Sequence, residues 1–437
     1  MTTVIIISII TVFFFIRTVL MAYRGSNILS KIITIRDMEN IRPQETVHVL
    51  VPIYNENEII DDLHKVYSRL AQNAPQNTSI YLVTSEAREL FEGHYPTSLS
   101  LLKEKSNPGN LFLIDVGAII KSKGELLNAA LKIIKPNEDS WIGIYDADSN
   151  PESQVFCYAS SVFKAHEVFQ QPCVYLNNCQ SLSATLSVAA LHQTCWSMGV
   201  ESYRYHLHNR RISMKLSSFL LPYIYPVTHG FYISMKDLSN ISGFPDRYED
   251  LRLGIPLSIR SFRIQTLPYF DRVDFANTVV DWIWQSANWT YGSWYVMIDY
   301  LNLMHYAQGR NFILLTVLTA KGIISNIFWC LEGLVFPLLI IGLLASGHFV
   351  SALVSLVLYL GILELFRRKV RQFLLQLLSL DRTVETYPER INLFLIILDS
   401  IIRSIGPSIA TVCAFLLPLF RYKFTNRRTP KKKTWSR

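Results

Sequence analysis

The stretch Trp141-Ile142-Gly143-Ile144-Tyr145-Asp146-Ala147-Asp148-Ser149-Asn150 decides the fold class of this chain. Five apolar-rich residues run into two carboxylates at i and i+2, so both acids leave one side of a strand end together. Two such oxygens can hold a divalent cation against a pyrophosphate. A solvated acidic turn, or a helix cap formed by Asp148 or Ser149 before Pro151-Glu152, accounts for the same residues without a ligand. Further short β-rich runs stand at Val47 to Ile53 and Ile80 to Thr84, with helical patterns between them, and this alternation predicts an α/β domain. The first run ends in Pro52 and Asn55 and the third in Asp146, which puts polar chemistry at the carboxyl ends of strands, where open α/β sheets bind ligands.

Around that domain the composition is unusually apolar. Of 437 residues half are hydrophobic, 12% aromatic and only 17% charged, which excludes disorder and an ordinary soluble enzyme and implies membrane spans beside a globular part. The net charge is +8, and the stretch from Arg421 to Arg437 holds eight Lys/Arg and no acid, so the rest is neutral. A nucleic-acid-binding surface would spread its basic excess over the fold; a basic tail beside an apolar segment reads as a membrane-surface anchor or orientation signal. Six cysteines without a C-x-x-C pair predict free, mostly buried thiols in a reducing compartment. Cys173 and Cys179 read as core residues flanking a strand rather than as a bridge or half a metal site.

The apolar runs divide the chain. Val4 to Ala22, followed by Arg24, Lys31 and Arg36, reads as a first transmembrane helix in residues 1–39 that leaves residues 40–305 in the cytoplasm. Residues 306–420 carry about three hydrophobic segments. Asn326 to Gly347 and His348 to Phe366 are expected to form a hairpin, with Glu332 and Glu364 its acids. Val370, Phe373, Leu374, Leu377 and Leu378 then recur at helical spacing, the pattern of an interfacial helix. The last stretch, Ile391 to Phe420, is interrupted by Asp399, Arg403 and Gly406-Pro407. A single crossing puts the tail of residues 421–437 outside; a bend at Gly406-Pro407 keeps it inside, which the positive-inside rule favours.

Three other segments carry chemistry. Val51-Pro52-Ile53-Tyr54-Asn55-Glu56 ends the first strand with an aromatic and two polar residues able to stack on a base and bond a ribose, although a strand leading into a polar turn is commonplace. From Gly243 to Gly254 runs a second acidic pair, Glu249-Asp250, which is either dipole compensation at a helix start or a general base facing the cleft of Asp148. Trp282 to Gly292 packs aromatics densely, either as an interfacial belt or as a sugar-stacking surface. His229-Gly230 after Thr228 suits either an approach to the acceptor or a packed histidine beside a turn glycine; His206 and His208 lie among arginines, where metal binding is not expected.

Taken in order, V-P-x-Y-N-E at Val51 to Glu56, a lysine then L-N at Lys123 and Leu127-Asn128, D-x-D at Asp146 and Asp148, G-F-P then E-D from Gly243 to Asp250, and Q-x-x-x-W at Gln285 and Trp289 resemble the family-2 inverting glycosyltransferases. That membrane group includes the cellulose, chitin and hyaluronan synthases, and the likeness covers residues 45–295. The resemblance implies a nucleotide-diphosphosugar transferase fold (GT-A type) with a mixed, mainly parallel sheet flanked by transmembrane helices. It further implies that Tyr54 and Glu56 lie at the base and ribose, that Lys123, Asp146 and Asp148 bind the donor, and that the two aspartates do so with Mg or Mn. Asp250 is then the base, with Glu249, Gln285 and Trp289 against the substrates. The implied partners are a nucleotide-sugar donor, a UDP-sugar foremost, a glycan or lipid-linked acceptor and the bilayer, with no nucleic acid, in a multi-pass protein of the cell membrane.

The chain departs from the family pattern in three places. Thr84-Ser85-Glu86 stands where an acid often reads the base, Ser122 replaces a usual glycine before Lys123, and Asn288 replaces the arginine of Q-x-x-R-W. Loss of that guanidinium removes a bidentate phosphate ligand unless Arg252 or Lys123 replaces it. The expected activity is transfer of one sugar with inversion to a hydroxyl; the alternatives are a processive synthase that extrudes its product, and a non-catalytic membrane scaffold or transporter. Sequons at Asn77, Asn240 and Asn288 carry no meaning in a cytoplasmic domain.

Overall fold

The computed structural model describes residues 20–21, 23–32, 34, 44–163, 167–214, 224–227, 229–304, 310–331, 333–380 and 391–416. The expected N-terminal anchor up to residue 19, the basic tail, Thr228 and Glu332 lie outside them. The strands are β1 (Val47–Pro52), β2 (Thr78–Thr84), β3 (Leu111–Asp115), β4 (Trp141–Ile144), β5 (Asn150–Pro151), β6 (Glu167–Gln170), β7 (Cys173–Val174), β8 (Phe231–Ser234), β9 (Arg263–Thr266) and β10 (Asp271–Arg272).

β1 is apolar on both faces because both faces are covered. Val47, Val49 and Val51 pack with the helices Ile60–Asn73 and Gln154–Val162, whereas Leu50 packs with the helix Lys123–Ile134 on the opposite side. Seven strands form one sheet in the order β3-β2-β1-β4-β8-β6-β9. Strands β1 to β4 pair in parallel and β6 pairs in parallel with β9, while β8 runs antiparallel to both β4 and β6. The fold is therefore α/β with a mixed, mainly parallel sheet. Its order reverses at β1, with β2 on one side and β4 on the other, so the carboxyl ends of β1 and β4 flank the crevice where such sheets take ligands. A second small sheet, β5-β10-β7, lies next to the D-x-D turn in sequence and ties it to Asp271 and Cys173. All six cysteines are free, five of them buried; Cys173 and Cys179 belong to the core.

Among the described residues three helices are long and apolar enough to cross a membrane: Phe312–Leu331, Phe349–Ser379 and Leu393–Ala414. Their boundaries differ from the sequence reading in three ways. The expected first hairpin arm is two helices, Arg310–Leu331 and Val335–Ala345. The expected interfacial helix is not separate: Phe349–Leu380 is continuous, and Val370, Phe373, Leu374 and Leu377 are buried in the core that also holds Leu186 to Leu191. A buried partner surface satisfies the same apolar periodicity that a bilayer surface would.

The third difference concerns Gly406-Pro407. The helix Leu393–Leu416 runs through the pair without turning back. A Cβ on Gly406 would come within 2.2 Å of Ser286 Oγ, so the glycine serves close packing against the helix Val279–Met304 rather than a bend. The charges that interrupt this stretch face protein: Asp399 Oδ2 lies 2.7 Å from His192 Nδ1, and Arg403 donates to Gln193 Oε1 at 3.1 Å. Intramembrane ionisable groups need such partners.

Candidate active site

Two sequence-distant segments meet because two glycines, Gly124 and Gly243, leave room for it. The helix Lys123–Ile134 starts with Ser122 as its N-cap: Ser122 Oγ accepts from Glu125 N at 3.2 Å, and Glu125 accepts from Lys121 N at 2.8 Å. The departure at Ser122 is thus a helix start, and it presents Lys123 from the first turn. Next to it Gly124 abuts the G-F-P loop; a Cβ there would lie 1.7 Å from Pro245 O. One turn on, Asn128 Nδ2 donates to Phe244 O at 2.7 Å and its Oδ1 accepts from Phe244 N at 3.0 Å. The same oxygen would be 2.7 Å from a Cβ on Gly243, whose φ is +78°. Asn128 therefore grips a loop more than a hundred residues away, and that loop leads into the helix Glu249–Ile259 with Asp250 in its first turn. Tyr248, at φ +48°, turns the chain sharply just before it.

Across the crevice the D-x-D turn is pinned from below. Tyr67 donates to Asp146 O at 2.8 Å, Ser149 N donates to the same oxygen at 3.1 Å, and Ser149 Oγ donates to the fully buried Asp271 at 2.9 Å. Asp271 also lies 2.9 Å from His229 Nδ1, with Cys173 Sγ 3.3 Å from that nitrogen. Burial opposes a charge on His229, but Cys173 and Asp271 outweigh it and raise its pKa well above the usual value. Burial pushes the Cys173 thiol up to about 11, so it is no thiolate nucleophile.

The two sides converge on a cavity of about 360 Å³. Asp146, Asp148, Glu249, Asp250, Gln285 and Trp289 all line it, which unites most of the residues expected from the sequence. Lys123 bridges the two acidic pairs, with Nζ 2.5 Å from Asp146 Oδ1 and 3.4 Å from Glu249 Oε1. Burial works against its charge, yet these carboxylates outweigh it and raise its pKa. Asp250 is pushed up to about 7, first by burial and then by the neighbouring Glu249 carboxylate, against the pull of Leu251 N–H and Lys123. A carboxyl held near neutrality is suited to general-base work. Gln285 and Trp289 lie one turn apart on the helix Val279–Met304, where Trp289 meets Trp282 and Tyr175 edge to face at 5.8 and 6.5 Å.

Tyr54 and Glu56 are not among the cavity's lining residues. Tyr54 lies at the end of β1, under the Arg88 guanidinium at 4.0 Å and with its hydroxyl donating to Glu92. The loop beside it hangs on two acids: Glu89, fully buried, accepts from Asn55 N at 2.7 Å, and Asp115 accepts from Glu86 N at 2.8 Å. Arg252 does not replace the missing arginine, since it pairs with Asp246 and with Asp299 at 3.0 Å. Of the residues left open by the sequence, His229 lines the cavity, whereas His208 is buried and bonded to Phe262 O at 2.9 Å.

Several lining residues were not anticipated, the charged Glu201, Arg204 and Asp274 among them. For Glu201 the signal was present in the sequence as an acid directly after the long apolar-rich stretch from Leu186 to Val200, but periodicity alone gave no reason to aim it at the cleft. No group of three or more His, Cys, Asp or Glu able to hold a metal occurs among the described residues. A pair of carboxylates at a strand end nevertheless fits a hard cation that takes its remaining oxygens from a diphosphate.

No family model matches the sequence, and no curated protein matches it. Among solved structures the chain is similar to the mannosyltransferase PcManGT from Pyrobaculum calidifontis, in complex with GDP-Man and Mn2+, at 12% identity over 90% of this chain and 98% of that one, with a TM-score of 0.45. It is also similar to TarS from S. aureus at 14% identity over 83% of this chain and 55% of that one, with a TM-score of 0.37.

Proposed function

We propose that the chain is a membrane-bound glycosyltransferase of the family-2 type that moves one sugar from a nucleotide diphosphosugar to an acceptor hydroxyl with inversion. One observation carries the reading: a single cavity holds the strand-end pair Asp146 and Asp148 and, across from it, Asp250 raised to about 7. An inverting displacement needs these two elements, a site that stabilises a departing diphosphate and a base that takes the proton of the attacking hydroxyl.

In this reading Asp148 and Asp146 hold Mg or Mn, which when bound offsets charge on the leaving diphosphate. Lys123 places a cation between the acidic pairs and keeps Asp146 oriented toward the crevice. Tyr54 and Glu56 lie toward the base and ribose at the end of β1, outside the cavity that takes the sugar and acceptor. Asp250 receives the hydroxyl proton on Oδ2, its Oδ1 being held by Leu251 N at 2.7 Å. Glu249 raises the basicity of Asp250, while Gln285 and Trp289 orient the substrates. The globular domain of residues 40–305 faces the cytoplasm, and the apolar helices that follow set the protein in the cell membrane as a multi-pass chain. The donor nucleotide is read as uridine diphosphate, and the acceptor as a glycan or a lipid-linked hydroxyl.

The test is incubation of purified protein with a panel of nucleotide sugars and Mg2+ or Mn2+, with release of nucleoside diphosphate and product mass as readouts. Release from one donor only, dependent on the metal and on an acceptor, supports the proposal. Absence of release from every donor, with folded protein, overturns it in favour of a non-catalytic membrane protein.

A further inference from the structure

The helical run that carries Glu201 is irregular in an informative way. Ala184–Trp196 is α-helical, Ser197–Ser202 forms a π-helical turn, and Tyr203–Ser213 is α-helical again. Gln193 and Trp196, three residues apart, line the cavity from the first part, and Glu201 and Arg204, three apart, line it from the second. In an unbroken α-helix the position following Trp196 on that face is 199 or 200; the wider turn carries the face to 201 instead. All four side chains thereby share one surface. On the opposite side of the turn Gly199 fits under the start of the helix formed by residues 23–32: a Cβ would lie 2.1 Å from Met21 O and 3.2 Å from Gly25 N. The irregularity is therefore held in place by packing, and π-turns of this kind are concentrated at functional sites.

What this surface offers is not a second diphosphate site. Glu201 is 6% exposed, and the charges bearing on it are Arg204, His229 and Asp250. It thus lies within the reach of the base Asp250 as well as of His229 under the D-x-D turn, and neither Asp146 nor Asp148 is among the charges that act on it. Facing it, the same cavity continues to Ser325, Asn326 and Trp329 on the apolar helix Arg310–Leu331. Trp196 and Trp329 lie nearly parallel, 6.3 Å apart at 19°. Flat aromatic surfaces beside a carboxyl, a guanidinium and amides match a polyhydroxylated ring, whose apolar face stacks while its hydroxyls take directional bonds.

We infer that Gln193, Trp196, Glu201 and Arg204 form the acceptor subsite, that the acceptor presents a neutral saccharide ring there, and that Glu201 with Arg204 selects which ring hydroxyl reaches Asp250. The inference rests on the transferase reading above. Burial first, against Arg204 and His229, holds the Glu201 carboxyl at about 7, so near neutrality it both donates and accepts, as hydroxyl recognition requires.

The experiment uses the full chain in a detergent without sugar headgroups and follows tryptophan fluorescence. The probes are the methyl glycosides of glucose, mannose and N-acetylglucosamine, with UDP and GDP plus Mg2+ titrated separately. The expected result is a saturable change with at least one glycoside, weakened about tenfold or more in Glu201→Gln and Arg204→Gln, while nucleoside diphosphate affinity stays within about twofold of wild type. Retained diphosphate affinity and thermal midpoint show that the variants are folded. Glycoside binding unaffected by both substitutions, or no glycoside response in a wild type that binds a nucleoside diphosphate, overturns the subsite and leaves the transferase reading intact. Failure of both diphosphates to bind wild type instead sinks the transferase reading.

Discussion

Asp250→Asn removes the proposed proton acceptor while keeping size and polarity, and its effect is set by the electrostatics around it. Burial and the Glu249 carboxylate push Asp250 up to about 7, so in wild type the ionised base is lost as pH falls through the near-neutral range rather than near the usual aspartate value. The sign follows directly: the active form is present above the raised pKa and is lost as pH falls through it. Wild-type kcat/KM should therefore decline about tenfold per pH unit below about pH 7, a limb displaced well above that of an ordinary aspartate. In Asp250→Asn turnover should fall by about two to four orders of magnitude, the span of a lost general base, and the remaining activity should lack the limb. Glu249→Gln deletes the second-largest cause of the shift, so its limb should move to lower pH. The assay is release of nucleoside diphosphate at saturating donor between about pH 5 and 9, with donor affinity measured separately. Full turnover in Asp250→Asn, or a variant that loses donor affinity while its saturated rate survives, would refute the assignment and make Asp250 a binding residue.

Asp148→Ala should abolish turnover without a matching loss of thermal stability, because the carboxyl faces the cavity; activity that persists in this variant, or in excess chelator, excludes the carboxylate metal site. Gly124→Ala should cost about 1–3 kcal/mol and lower turnover at least about tenfold, against the usual gain from alanine in a helix, because its Cβ would meet Pro245 O at 1.7 Å. Gly342→Ala, inside the helix Val335–Ala345 with open space around it, is the control and should leave activity unchanged and melting unchanged or slightly raised. Since Asn288 and not arginine lines the cavity beside Trp289, and Arg252 is engaged with Asp246 and Asp299, wild type should add one or a few sugars; a polymer of high mass made without primer would contradict this.

Much of the molecule could be read from local pattern. Strand runs ending in polar residues foretold the α/β sheet and the crevice at β1 and β4, because side-chain alternation and strand-end chemistry are written within a few adjacent residues. The acidic pairs at Asp146 to Asp148 and Glu249-Asp250, and Gln285 with Trp289, were visible for the same reason. What sequence could not show was which of these meet. Asn128 gripping Phe244, and Gly124 making room for Pro245, are contacts between segments more than a hundred residues apart, and only chain folding brings them within 3 Å. Helix ends were equally a tertiary matter. Gly406-Pro407 looked like a bend until Ser286 was found packed on Gly406, and Val370 to Leu377 carry a periodicity that lipid and protein partners satisfy alike. Glu201 points into the cavity because a π-turn, wedged by the helix of residues 23–32, rotates it there. Asp250 is a base near neutrality only because burial and Glu249 oppose its charge. Residue identity supplied the chemical groups; the dielectric and the distances that set their pKa values and directions came from tertiary packing.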